Sequence, residues 1–298
     1  MVTRGQWATR MGFILACAGS AVGLGNIWKF PYIAGMNGGG LFVIIYVFCV
    51  LFVGIPIMIS EFAIGRASQL SPVDAFRKLT SRKSPWQSVG WLGVLSGFVI
   101  LSYYSVVAGW AMHYVRLSLS GFSDVGDPKQ IAGLFDKLYA SAPLNLWWHF
   151  VFMALTVGIV IGGVKRGIER ASRIIMPILF VMLVMLLVRN AFLAGFGKAF
   201  IFVFSPNPAV FTPTGAVEAM GHAFFTLSLG MGAMLTYGSY LDKDADAPRS
   251  ALIVSLMDTA VALLASMVIF PILFTYGMSP QAGPGLVFKS MPIVFAQL

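Results

Sequence analysis

Ala18-Gly-Ser-Ala-Val-Gly-Leu-Gly-Asn-Ile-Trp-Lys-Phe-Pro31 lies inside an apolar run extending from about residue 11 to residue 34. A run of that length is what an α-helix needs to cross the hydrocarbon of a bilayer, ~20 residues. At its centre, however, Gly23 and Gly25 flank a single leucine, and closely spaced glycines weaken a helix. Backbone that unwinds away from water must find other partners for its N–H and C=O groups, so such a break persists where protein or a bound species supplies them. The half-helix restarting near Asn26 points the positive end of its dipole at the break, where a carboxylate is stabilised. Freed carbonyls from Gly19 to Val22 offer oxygens to a hard cation. This chemistry suits a zwitterion together with a sodium ion.

Outward from this stretch the chain keeps the same character. Further apolar runs at about 41–65, 89–119, 144–163, 171–193, 216–240 and 251–276 predict six more membrane helices, with 277–298 read as an extracellular loop broken by Pro and Gly. With 58% of residues apolar and 10% charged, a single water-soluble core cannot absorb the hydrophobic surface, and the reading is an all-α integral membrane protein. The net charge of +9 does not mark a nucleic-acid partner, because the basic residues sit in short loops between apolar runs. Most fall at the N-terminus or after the second, fourth and sixth spans, as at Arg66, Arg77, Lys165, Arg166 and Arg249. The positive-inside rule then puts the N-terminus in the cytoplasm of a multi-pass protein of the plasma (inner) membrane. Cys17 and Cys49 both lie within apolar runs, where a disulfide scaffold is not expected.

The sixth span repeats the peculiarity of the first, with Gly230-Met231-Gly232 near its middle. Spans five apart run in opposite directions through the membrane, so two matching breaks predict inverted-topology repeats with a binding site between them. On this reading residues 1–298 form one transmembrane domain. Its first five-helix repeat is complete and its second is truncated after the seventh helix, so the chain is expected to be a fragment of a longer transporter. No Ser/His/Asp set, metal-spaced His/Cys cluster or phosphate loop is present in the sequence, which argues against an enzyme.

The residues also carry a resemblance. Trp7-Ala-Thr-Arg-Met-Gly-Phe13, the stretch 18–31, Asn37-Gly-Gly-Gly40, Gly54-Ile-Pro56, Glu61 and Phe224-Phe-Thr-Leu-Ser-Leu-Gly230 together look like the neurotransmitter:sodium symporter family, of the bacterial amino-acid-transporting type. The resemblance implies sodium-coupled symport of a small amino acid by alternating access, with spans one, two, six and seven rocking against a scaffold that includes spans three and four. It implies a first sodium site from Ala21, Asn26, Thr226 and Asp258, and a second from Gly19 and Val22, completed by an eighth span that this sequence does not contain. It places the substrate against Ala21, Gly23, Leu24, Gly25, Tyr104, Phe225 and Thr226. Ile100, Ser228 and Met231 would line the side-chain pocket, which favours an apolar or aromatic amino acid.

Two departures from the family pattern matter. Asp258 stands where the family usually has Asn, and Ala262 where chloride-dependent members have Ser. A fixed carboxylate replaces the charge that chloride supplies elsewhere, so transport is expected to be chloride-independent, with Asp258 able to take a proton when the ion site is empty. Lys29 replaces the usual Arg of the extracellular gate and lacks its bidentate fork. Arg4 and Trp7 resemble the cytoplasmic gate, and Glu61 is expected to accept hydrogen bonds from freed amides of the sixth helix. His222 reads as a packed neutral histidine. A non-transporting amino-acid receptor or a channel-like protein is the alternative that would keep the same breaks and pocket.

Overall fold

The computed structural model describes residues 6–81, 84–119, 128–208, 211–242, 244–281 and 285–296. All regular structure among them is helical. Helix α1 (Arg10–Ala21) starts on Thr9, whose hydroxyl accepts from the Gly12 N–H at 2.9 Å. It ends at Val22, where the backbone turns extended. A π-helical turn (Gly25–Lys29) and α2 (Phe30–Met36) resume the path, and the two halves are bent by 44°. The second apolar run is helical over Gly40–Ser68, as α3 (Gly40–Cys49), a π-helical turn and α4 (Ile55–Ser68). Then follow α5 (Pro72–Leu79), the long α6 (Gln87–Leu119), α7 (Pro128–Ala140) and α8 (Ala142–Ile161). After a further π-helical turn come α9 (Arg170–Asn190) and α10 (Phe196–Phe204).

Residues 216–240 fall into two short helices, α11 (Pro213–Thr226) and α12 (Ala233–Gly238), on either side of the second glycine pair. Helix α13 (Ala247–Thr275) follows, started by the Asp246 carboxylate accepting from the Arg249 N–H, and α14 (Leu286–Ala296) comes last. Five helices among the described residues are long and apolar enough to cross a membrane, or six when the bent first pair counts as one span.

Four stretches expected to be connections are helical, those of α5, α7, α10 and α14. Residues 277–298, read as an extracellular loop, contain α14, whose Leu286 is buried and whose Phe288 packs among Trp28, Trp110 and Phe135. The Gly283-Pro284-Gly285 run ends one residue before the helix begins, and Pro292 lies within the helix. Helices α7 and α10 are likewise short, and their apolar faces find cover in the bundle: Leu138 on α7 and Ala199 and Val203 on α10 are buried. A search for 20-residue apolar runs passes over elements of this length.

Burial grades across the bundle. In α13 more than half of the most apolar window is enclosed, whereas α8 has no buried residue. Large apolar side chains such as Trp91, Phe98 and Phe192 point outward at 64%, 71% and 86% exposure. That pattern is prohibitive in water and ordinary against lipid tails. Helices α4 and α12 pack backbone to backbone: a Cβ on Gly65 would run into the Leu235 carbonyl, and one on Gly238 would sit 2.8 Å from the Phe62 Cα. These glycines let two backbones touch. Helix α13 packs on α1, α4 and α9, and α11 on α3, so the two interrupted segments meet in the interior.

Candidate functional site

Asp258, on the buried stretch of α13, has no solvent exposure. Its Oδ1 accepts from Asn26 Nδ2 at 2.7 Å and from Thr226 Oγ1 at 2.9 Å, and its Oδ2 accepts from Tyr46 hydroxyl at 2.9 Å. Asn26 Nδ2 also donates to the Asp258 backbone carbonyl at 3.0 Å, and Asn26 Oδ1 accepts from the Gly23 N–H at 3.0 Å. The side chain of Asn26 therefore closes the first break on itself and ties it to α13. An isolated carboxylate here would be costly, and three donors offset that cost. Each donor comes from a different segment: the π-helical turn after the first break, α3, and the end of α11.

A cavity of about 340 Å³ lies beside this cluster, lined by Ala21, Gly25, Ile100, Tyr104, Phe225, Thr226, Ser228 and Met231 together with Gly19, Ser20, Gly97 and Leu101. Gly23 and Leu24 reach it through Tyr104, whose hydroxyl accepts from the Leu24 N–H at 3.1 Å and would lie 2.7 Å from a Cβ on Gly23. Ser228 links the two breaks: its Oγ donates to the Ser20 carbonyl at 2.9 Å and lies 3.2 Å from Ser20 Oγ. Ser228 holds a φ of 56°, a left-handed conformation costing about 1–3 kcal/mol in a residue with a side chain, so the surrounding contacts must enforce it.

Glu61 on α4 spans the second break. Oε1 accepts from the Gly230 N–H at 2.7 Å and Oε2 from the Leu235 N–H at 3.2 Å, so one carboxylate serves amides on both sides of the interruption. Lys29 Nζ lies 4.1 Å from the centroid of the Phe225 ring. At the other end of α1, Trp7 is buried against Phe13, Tyr237 and Tyr240 and donates from Nε1 to the Tyr237 carbonyl at 3.1 Å. Arg4 lies outside the described residues.

Val22 faces another side of the first span, and Gly19 lies between that side and the cavity, which it also lines. Val22 packs with Met176, Leu183, Val261 and Val268, and Gly19 lies against Ser172 and Met176. The residues named for the first ion and the substrate are thus brought together; of those named for a second ion, Gly19 borders the same cavity and Val22 is turned toward α9 and α13.

Tyr46, Gly97 and Leu101 escaped the sequence reading. Tyr46 sits in Ile44-Ile-Tyr-Val-Phe48, where an aromatic reads as core, and its donor role appears when α13 is placed beside it. Gly97 was findable, because it lies one turn before Ile100 on the same face of α6. Among the described residues no group of three or more His, Cys, Asp or Glu side chains is placed to hold a metal ion. The oxygens at Asp258 are instead one carboxylate with hydroxyls and carbonyls, a set suited to a singly charged cation.

Comparison with known proteins adds four findings. The sequence profile of the sodium:neurotransmitter symporter family matches residues 4–123 and 137–295. A Bacillus subtilis protein named "uncharacterized sodium-dependent transporter YhdH" is 44% identical over 98% of this chain and 65% of its own length. A Haemophilus influenzae protein named "uncharacterized sodium-dependent transporter" is 36% identical over 99% of this chain and 66% of its own. This chain therefore spans just under two thirds of the length of these relatives. Among solved structures, that of MhsT in complex with L-phenylalanine superposes with a TM-score of 0.94 at 45% identity, covering 99% of this chain and 67% of that one.

Proposed function

Since the chain belongs to the sodium:neurotransmitter symporter family, we propose that it takes part in sodium-coupled, chloride-independent symport of an apolar or aromatic amino acid across the plasma membrane, with its N-terminus in the cytoplasm. The observation that carries this reading is the wholly buried Asp258 carboxylate, held by Asn26, Thr226 and Tyr46 beside two helix breaks. Sodium entering the cluster would take over the positive role now filled by the Asn26 amide and the Thr226 hydroxyl. Ala21 and the substrate carboxylate would supply further oxygens. Ion and substrate then complete each other's sites, which couples their binding thermodynamically.

In the adjoining cavity the substrate carboxylate would meet the Tyr104 hydroxyl and the amides at Leu24 and Gly25, replacing the bond now made by the Leu24 N–H. Ile100, Ser228 and Met231 would surround its side chain, and Gly97 leaves depth beside them: a Cβ there would meet nothing closer than the Met231 carbonyl at 3.8 Å. The volume of about 340 Å³ suits a side chain as large as that of phenylalanine, which the MhsT structure contains. Phe225 with Lys29 above it would close the outer side, and Trp7 with Arg4 the inner side. The breaks in the first and sixth helices would be equivalent parts of two inverted repeats. Gly19 and Val22 would contribute to a second sodium site.

The test is uptake of labelled phenylalanine into proteoliposomes under an inward sodium gradient, with choline replacing sodium in one arm and gluconate replacing chloride in another. Uptake that needs sodium and survives chloride removal supports the proposal. Saturable binding without accumulation favours a receptor, and flux without concentrative uptake favours a channel.

A further inference from the structure

Helix α6 presents different faces to two neighbours. Gly97, Ile100, Leu101 and Tyr104 line the cavity. On the adjoining face Ser105, Gly109 and His113 recur at i, i+4 and i+8 and meet α8. The approach is close there, since a Cβ on Gly109 would sit 3.0 Å from that of Trp148. Polar groups tie the seam on either side of this glycine. Trp148 Nε1 donates to His113 Nδ1 at 3.0 Å, and His149 Nδ1 lies 2.8 Å from Ser105 Oγ. Ser105 has no solvent exposure, so its hydroxyl has to find its partners within the protein. That hydroxyl donates to the Leu101 carbonyl, one turn back, at 2.7 Å. Back-bonding of this kind competes with the backbone ladder and bends a helix. With its one proton on Leu101, the hydroxyl accepts from the imidazole, and this network assigns the proton of neutral His149 to Nδ1. The turn from Leu101 to Ser105 is also the one that sets Leu101 and Tyr104 in the cavity wall.

We propose that His149, from outside the cavity, is a positioning residue for the substrate side chain: by donating to Ser105 it fixes the back-bonded turn of α6 and so the distance of that wall from Met231. The role rests on the amino-acid reading of the same cavity and adds to it a residue that touches no substrate. Without the imidazole N–H, the buried Ser105 oxygen loses a partner, and its proton is free to turn toward the Ser102 carbonyl, 3.5 Å away. The bond to Leu101 is then no longer enforced, and the turn relaxes toward straight helix. Dispersion contact falls steeply with separation, so a small shift of the wall is felt by a side chain that fills the cavity. Phenylalanine reaches the wall. Alanine does not.

The experiment measures sodium-dependent binding of labelled phenylalanine, and its displacement by alanine, on the full chain in nanodiscs. The variants are His149→Leu, Ser105→Ala, their combination, and His149→Asn, whose side-chain N–H can stand in for that of Nδ1. Phenylalanine affinity is expected to fall about tenfold in His149→Leu and in Ser105→Ala, with alanine within about twofold of the parent. The combined variant is expected to be no worse than either single one, because the two residues act through one bond, and His149→Asn to recover most of the loss. Equal losses for the two amino acids, or losses that follow the melting temperature, overturn positioning in favour of packing. Additive losses overturn the route through Ser105. Hydrogen exchange of the peptide holding Leu101 to Ser105 is read on the same samples without ligand. Exchange about fivefold faster in His149→Leu and reversed in His149→Asn is expected, and unchanged exchange overturns the proposal. A parent that binds no phenylalanine counts against the amino-acid reading, and hydrogen exchange then decides the His149–Ser105 link by itself.

Discussion

Replacing Asp258 with Asn separates the charge of the carboxylate from its shape. In Asp258→Asn the side-chain oxygen can still accept from Asn26 and Thr226, now at 2.7 and 2.9 Å, while the new amide faces the Tyr46 hydroxyl, which can rotate to accept instead of donate. Charge-assisted hydrogen bonds become neutral ones, a loss of about 1–2 kcal/mol of stability. Sodium loses much more. A unit charge about 4 Å away at an effective dielectric near 20 is worth roughly 4 kcal/mol, or about a thousandfold in affinity. The assay is the sodium dependence of labelled phenylalanine binding and uptake, measured beside the melting curve of the same preparation. The expected outcome is a half-saturating sodium concentration raised by two to three decades with a small fall in melting temperature. Adding Ala262→Ser, one turn further along the same face of α13 and fully buried, should restore sodium-driven uptake in chloride but not in gluconate. A sodium dependence within about twofold of the parent would remove Asp258 from the ion site, since a lost ligand charge cannot be that small an effect.

Three further outcomes follow from the geometry. Glu61→Gln keeps one acceptor for the two amides it now serves and turns an N–H toward the other, so it should lose about 1–3 kcal/mol in denaturant unfolding, whereas a role confined to packing predicts almost no change. Gly97→Leu fills the space beside Met231 and should weaken phenylalanine binding by tenfold or more, roughly 1–3 kcal/mol, while alanine competes as before; equal loss for both amino acids would place Gly97 outside the side-chain pocket. Gly65→Val drives a side chain into the Leu235 carbonyl and should cost more than about 3 kcal/mol, seen as loss of the monodisperse folded fraction in detergent, with Gly65→Ala milder but in the same direction.

The sequence discloses some parts of this architecture more readily than others. Long apolar runs announce α6, α8 and α13 because hydrocarbon thickness sets a length that few other elements reach. Paired glycines and an acid inside an apolar run stand out for the same reason, as each is costly in a membrane unless something compensates for it. Glu61 and Asp258 could therefore be singled out by residue type. Their partners are another matter: the Gly230 and Leu235 amides belong to no side chain, and Tyr46 is an ordinary aromatic until α13 lies beside α3. Helices α7, α10 and α14 are short and owe their place to contacts across the bundle, so local hydropathy gives little notice of them. The link of Glu218 to Asn37 exists only in three dimensions.

The backbone contact between α4 and α12 has a mechanical consequence. With Gly65 and Gly238 each pressed against the opposite helix, and Glu61 bridging from α4 across the break, the second span and the half of the sixth that follows its break have no room to slide past one another. Whatever motion opens and closes the cavity has to carry them as one piece. A pair of spectroscopic probes placed on these two helices should then report an unchanging distance under every ionic condition, and so provide the fixed ruler against which movement of the other helices can be measured.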